Sequence, residues 1–204
     1  MAATNAEIVS FINKLGPLAV AESNRRIAST GKFVLPSVCM AQSAHETGWG
    51  LSSLMTKANA FFGIKAGGSW TGKIFTADTW EVKDGEAYNT VANFRAYDSL
   101  EDSVRDYYDL IMNNSRYSNA LSTHPGDIKS AYETLSAIWS GGYATDENYV
   151  SHVYGLLTGR DLTQWDAKVD GVSTDTGSLP GGDYIPPSEA PTTPLATFVK
   201  ISEE

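Results

Sequence analysis

Residues 41–50 read AQSAHETGWG, and residues 59–66 read NAFFGIKA. The first stretch is an apolar helix running out into a Gly/Trp turn, which leaves one acid, Glu46, at the helix end. The second is an aromatic-rich, glycine-containing loop just beyond it. A lone carboxylate held among Trp49, Phe61 and Phe62 is poorly solvated, and poor solvation raises its pKa and keeps it protonated near neutral pH. The same residues also permit a plainer arrangement, with Glu46 on the surface at a helix end and Trp49 as ordinary core.

Working outward, Thr4 and Glu7 form a capping box, and Ile8, Phe11, Ile12 and Leu15 recur at helical spacing. Gly16-Pro17 is expected to interrupt that helix, with a second running from about Pro17 to Thr30 and ending at Gly31. Pro36 suits the first turn of the helix that carries Glu46. Residues 66–97 change character. They alternate in polarity, and Asp84-Gly85 is a hairpin turn signal with a return strand from Tyr88 to Phe94. Ser99 with Asp102 opens the next helix, with Leu100, Val104, Tyr108 and Ile111 as its inner stripe. Further helices are expected over Asp127–Trp139, closed by Gly141-Gly142, and over Asn148–Leu157. The expected fold is mainly α with a small β-hairpin lobe, an α+β chain. Its domain spans 1–170, with the lobe at about 66–97. Residues 171–204 read as a linker or arm, because five of the eight prolines fall between Pro180 and Pro194. Within it, Leu195–Val199 is an apolar run that could dock on a partner.

Composition narrows the chemistry. A net charge of −9 argues against nucleic acid as a partner. No run approaches the roughly 20 apolar residues of a membrane span, so membrane insertion is not expected. The start MAATNAEIVSFINKLG has no basic segment followed by an apolar block and reads as lacking a signal peptide. One cysteine, Cys39, excludes an internal disulfide and a cysteine-based zinc site. His45-Glu46 begins a zinc-protease HExxH pattern, but position 49 is Trp. There is no nucleophile elbow, P-loop or dinucleotide fingerprint, so neither metal nor cofactor is expected.

A protonated acid in a cleft suits glycosidic bond cleavage, which ordinarily needs a second carboxylate. The hairpin offers Asp78, Glu81, Asp84 and Glu86. Asp84 and Glu86 belong to the turn, whereas Glu81 lies inside a strand and points away from its neighbours Trp80 and Val82. Glu81 is therefore the candidate base, beside the alternative of a solvated strand glutamate. Asn59 could hydrogen-bond an acetamido group, and Phe62 and Trp70 offer faces for sugar rings, although aromatic residues are more often core.

The blocks AQSAHETGWG, NAFFGIKA, GSWTGK, FRAYDSLEDSVRDYY and GGYATDENYVSHV follow one another over residues 5–160. In that order they resemble the glucosaminidase domains of glycoside hydrolase family 73, found in flagellar-rod enzymes, autolysins and phage lysins. The resemblance implies a lysozyme-like fold and hydrolysis of the bond between N-acetylglucosamine and N-acetylmuramic acid in peptidoglycan. It implies Glu46 as acid, Glu81 as the second glutamate and Tyr143 as an active-site tyrosine. His45 and Thr47 beside the acid, and Ala60 and Phe61 in the loop, depart from the commoner pattern. The expected partner is a peptidoglycan strand. With no signal read at the start, the expected setting is a phage lysin or virion-associated wall hydrolase, with residues 171–204 as a contact for an assembly partner. A secreted protein with its signal removed is the other route to the wall. A muramidase or lytic transglycosylase of the same fold, or a glycan-binding or tail module, are the alternatives.

Overall fold

The computed structural model describes residues 2–83 and 86–172, and side chains other than those of 79–89. The expected Asp84-Gly85 turn and the Leu195–Val199 segment lie outside the described residues, as does nearly all of the 171–204 arm.

Helix α1, Asn5–Thr30, opens on the expected capping box, with the Thr4 hydroxyl accepting from the Glu7 amide and the Glu7 carboxylate accepting from the Thr4 amide. It then runs unbroken through Gly16-Pro17. The expected interruption does not occur, although Pro17 brings no amide to the helical ladder. The bare Gly16 instead seats an indole, since a Cβ there would lie 2.6 Å from the Trp165 ring. Packing across α1 thus offsets a local helix-breaking signal.

After a two-residue strand β1, Lys32–Phe33, helix α2 spans Pro36–Thr47. Its residues 36–44 are all buried, so α2 is the central helix, enclosed rather than amphipathic. No side chain caps it locally at Leu35. Asp166, 129 residues away, supplies the cap: its carboxylate accepts from the Ser37 amide at 2.8 Å and the Ser37 hydroxyl at 2.6 Å. Helix α3, Ser53–Ala58, leads to a long hairpin, β2 (Lys73–Lys83) paired antiparallel with β3 (Glu86–Ala96), Lys73 opposite Ala96 and Lys83 opposite Glu86. The return strand is thus longer than the alternation alone suggests.

Helix α4, Leu100–Asn113, is capped by Ser99 and buries Val104, Tyr107, Tyr108 and Ile111. A 3₁₀ turn at Ser115–Ala120 and strand β4, Ser122–Thr123, follow, and β4 pairs with β1. Helix α5, Ala131–Ser140, starts four residues later than its apolar periodicity suggests, because a Ser130/Glu133 capping box sets its start. Helix α6 is Tyr149–Gly159, and a second 3₁₀ turn, Leu162–Lys168, returns to α2 and carries Asp166. One core gathers around α2. A second, smaller cluster of Leu54, Ala58, Ala60, Phe94 and Tyr97 supports the hairpin. The expected mainly α chain with a small hairpin lobe is what the structure shows.

Candidate active site

The C-terminal end of α2 is wound tightly enough to fix where Glu46 sits. Gly48, Trp49 and Gly50 all take positive φ, at 58°, 63° and 84°. Left-handed backbone is easy for glycine and costs a Trp about 1–2 kcal/mol. Thr47 holds this turn from inside: its hydroxyl donates to the Ser43 carbonyl at 2.7 Å and accepts from the Gly50 amide at 2.8 Å. Gly50 also lies where a Cβ would come within 2.9 Å of the Phe11 ring. The TGWG sequence therefore ends the helix abruptly, one residue after the acid.

Glu46 is half-buried at this end. Loss of solvent pushes its pKa up from the ordinary 4.5 to about 8, and a donor hydrogen bond from Tyr149 opposes part of that rise. The Tyr149 hydroxyl lies 3.5 Å from Glu46 Oε1. Tyr143 is wholly buried nearby, its ring 5.9 Å from that of Tyr149. Burial first, and the proximity of Glu46 second, hold both phenols well above their ordinary pKa. His45 sets its ring edge-on to Tyr149 at 5.3 Å. Its pKa is lowered, mainly by burial and then by His152, so it adds no positive charge beside the acid near neutral pH. Burial, with no cation supplied by His45, is what keeps the acid protonated.

The other candidates fall in different places. Tyr143 reaches the acid's surroundings, and its hydroxyl has no hydrogen-bond partner among the described residues. Glu81 stands in β2 opposite Tyr88, and its side chain lies outside the described residues. Phe62 is 1% exposed and stacks on Tyr107 at 4.1 Å, so it is core and offers no face to a sugar. Asn59 caps α3 with left-handed backbone, and its amide donates to the Tyr97 and Asp98 carbonyls, which commits it to the loop. Trp70 packs at the hairpin base, with the Arg95 guanidinium over its ring at 4.8 Å and its indole N–H on the Lys73 carbonyl. The Trp49 and Phe61 rings both set against Phe11. The groups coupled to the carboxyl are tyrosines. Cys39 is a buried filler, its thiol pKa raised by burial. The Asp146 carboxylate accepts from the Asn148 amide at 2.9 Å.

Between α3 and the hairpin lies an open depression of about 320 Å³, lined by Ser53, Lys57, Thr76, Asp78 and Val91 among others. Glu46 is not part of its lining. Sequence reasoning missed Tyr149 and Gln42. Gln42 lies one helical turn before Glu46 on α2, a spacing that marks the shared face.

A protonated acid ending the core helix, with a long hairpin lobe beyond it, defines a lysozyme-like glycoside hydrolase domain. The chain belongs to the glucosaminidase family: the family model described as mannosyl-glycoprotein endo-beta-N-acetylglucosaminidase matches residues 25–162. Among its relatives, the peptidoglycan hydrolase FlgJ of Vibrio parahaemolyticus is 36% identical over 147 residues, covering 71% of this chain and 44% of that protein. The exo-glucosaminidase LytG of Bacillus subtilis is 34% identical over 138 residues, covering 65% and 46%. The chain thus spans less than half the length of these relatives. The catalytic domain of the autolysin Auto from Listeria monocytogenes superimposes with a TM-score of 0.64 at 31% identity, covering 81% of this chain and 90% of that domain.

Proposed function

We propose that this chain cleaves the glycosidic bond between N-acetylglucosamine and N-acetylmuramic acid within peptidoglycan strands, as an endo-acting glucosaminidase with Glu46 as general acid. The observation that carries this reading is a half-buried Glu46 with pKa about 8 in a chain of the glucosaminidase family. At neutral pH Glu46 holds a proton and gives it to the glycosidic oxygen as the bond to the anomeric carbon breaks. A water, or the oxygen of the substrate's own acetamido group, attacks that carbon. Glu81 then takes the proton of the water or steadies the acetamido N–H. Its support is its place in the hairpin strand and the family resemblance. Tyr143, buried beside the acid with its hydroxyl unpartnered among the described residues, is the third residue of the proposed site.

Glu46→Gln should keep the fold while losing more than about 100-fold in wall solubilisation, the scale of a general acid's contribution. An active Glu46→Gln enzyme would remove Glu46 from this role. Glu81→Gln should cost less if the acetamido group is the nucleophile, and a fully active variant removes Glu81 from the site.

A narrower proposal is that the chain serves as a phage lysin or virion-borne wall hydrolase. It rests on the proline-rich composition of residues 171–204, to which flagellar hydrolases and autolysins as relatives add nothing. Detection of the chain in purified particles, or lysis of cells from without, tests it.

A further inference from the structure

Tyr149 is the last link of a buried chain of hydrogen bonds, and the distances give that chain a direction. The Tyr107 hydroxyl lies 2.5 Å from Gln42 Oε1, Gln42 Nε2 lies 2.8 Å from the Tyr149 hydroxyl, and that hydroxyl lies 3.5 Å from Glu46 Oε1. A separation of 2.5 Å fits O–H···O and is too short for N–H···O, which runs from about 2.7 to 3.2 Å. The Gln42 amide therefore turns its oxygen to Tyr107 and its NH₂ to Tyr149. A phenol has a single proton. Because the Tyr149 oxygen already accepts from Gln42, its proton is directed at Glu46 Oε1.

We propose that Gln42 is a positioning residue for the acid, orienting Tyr149 as a donor to Oε1 so that Glu46 carries its transferable proton on Oε2. This rests on the reading of Glu46 as general acid. Oε2 has no hydrogen-bond partner among the described residues. Gln42 and Tyr107 are both fully buried, on α2 and α4, and Tyr149 reaches them from α6. Burying an amide in a core is costly unless its groups are bonded. The Gln42 amide bonds on both sides, and those bonds end at the acid. Since a donor to a carboxylate favours the charged form, the chain also limits how weak the acid becomes. The titratable groups around Glu46 and its neighbour His45 are Tyr149 and His152 from α6 and Tyr143 and Asp146 from the preceding loop. Of these, the two phenols stay protonated and His45 stays neutral where Glu46 titrates.

The test is a carbon-13 titration of the Glu46 carboxyl, beside the pH profile of wall solubilisation. The proteins compared are wild type, Tyr149→Phe, Tyr107→Phe, Gln42→Met and the Gln42→Met/Tyr149→Phe double variant. Tyr149→Phe should move the carboxyl titration, and the alkaline limb of activity, up by about half a pH unit. Gln42→Met should match it and add nothing in the double variant. Tyr107→Phe, which keeps Gln42 and packs the same ring, should move both in the same direction by less. A purely structural role would lower the rate at every pH without moving the limb. The proposal is overturned if Tyr149→Phe shifts the titration while Gln42→Met and Tyr107→Phe leave it where it is. Should Gln42→Met not fold, the comparison of Tyr107→Phe with Tyr149→Phe decides alone. Shifts as expected in an enzyme that never solubilises wall would support the relay and overturn the general-acid reading instead.

Discussion

Glu46 is the proposed general acid, and its environment predicts a stability signature separate from activity. Its folded pKa of about 8 stands above the ordinary 4.5, so between those values the folded chain holds a proton that the unfolded chain has released. Its contribution to stability is complete below the unfolded value and is lost as pH rises through the folded one. Glu46→Gln never ionises. It should therefore unfold at a higher temperature than wild type at about pH 9 and at nearly the same temperature at about pH 4. Equal melting temperatures at both pH values would contradict the buried, protonated acid. Wall solubilisation should likewise fall as pH passes about 8, where the acid loses its proton. Glu46 was legible in the sequence because the Gly-Trp-Gly turn marks an abrupt helix end. Tyr149 was not, because it lies 103 residues away and only the packing of α6 on α2 brings it to the acid. Phe62 fills the core rather than facing a cleft, because an aromatic side chain reads the same in sequence in either place.

At the scale of elements, two remote contacts position the site. Asp166 caps α2 at the end opposite Glu46, and it is 3% exposed. Burial raises its pKa to about 6, against the lowering effect of both Ser37 bonds. Asp166→Ala leaves the Ser37 amide and hydroxyl buried without their partner and should cost about 2 kcal/mol in urea unfolding. A loss below a few tenths would show that α2 needs no cap there. The second contact ties the hairpin to the helical body. Asp106 on α4 accepts from Arg95 at 2.9 Å and from the Tyr97 hydroxyl at 2.6 Å. Asp106→Ala breaks a largely buried ion pair and should cost about 3 kcal/mol, with amides at the base of β2 and β3 losing hydrogen-exchange protection first. Protection lost evenly along both strands would contradict this. Element types were legible from capping boxes and alternation. The break expected at Gly16-Pro17 was not real, because the Trp165 indole that fills the Gly16 notch comes from the far end of the chain.

For the whole molecule, the chain returns to its own centre before the proline-rich stretch begins. Leu162, Trp165, Val169 and Val172 all join the core around α2. A chain ending at Val172 should therefore fold with an unchanged Tm, whereas one ending at Arg160 removes Asp166 and the Trp165 ring and should lose cooperative unfolding. Equal stability of the two would place the domain boundary earlier. The docking of the Leu162–Lys168 turn on α2 depends on contacts that no local pattern carries. The most direct test of the central claim is digestion of purified peptidoglycan by wild type and Glu46→Gln, followed by borohydride reduction and mass spectrometry of the products. Reduced N-acetylglucosamine ends from wild type alone are the predicted result. Reduced or anhydro-muramic ends, or identical products from both proteins, would contradict it.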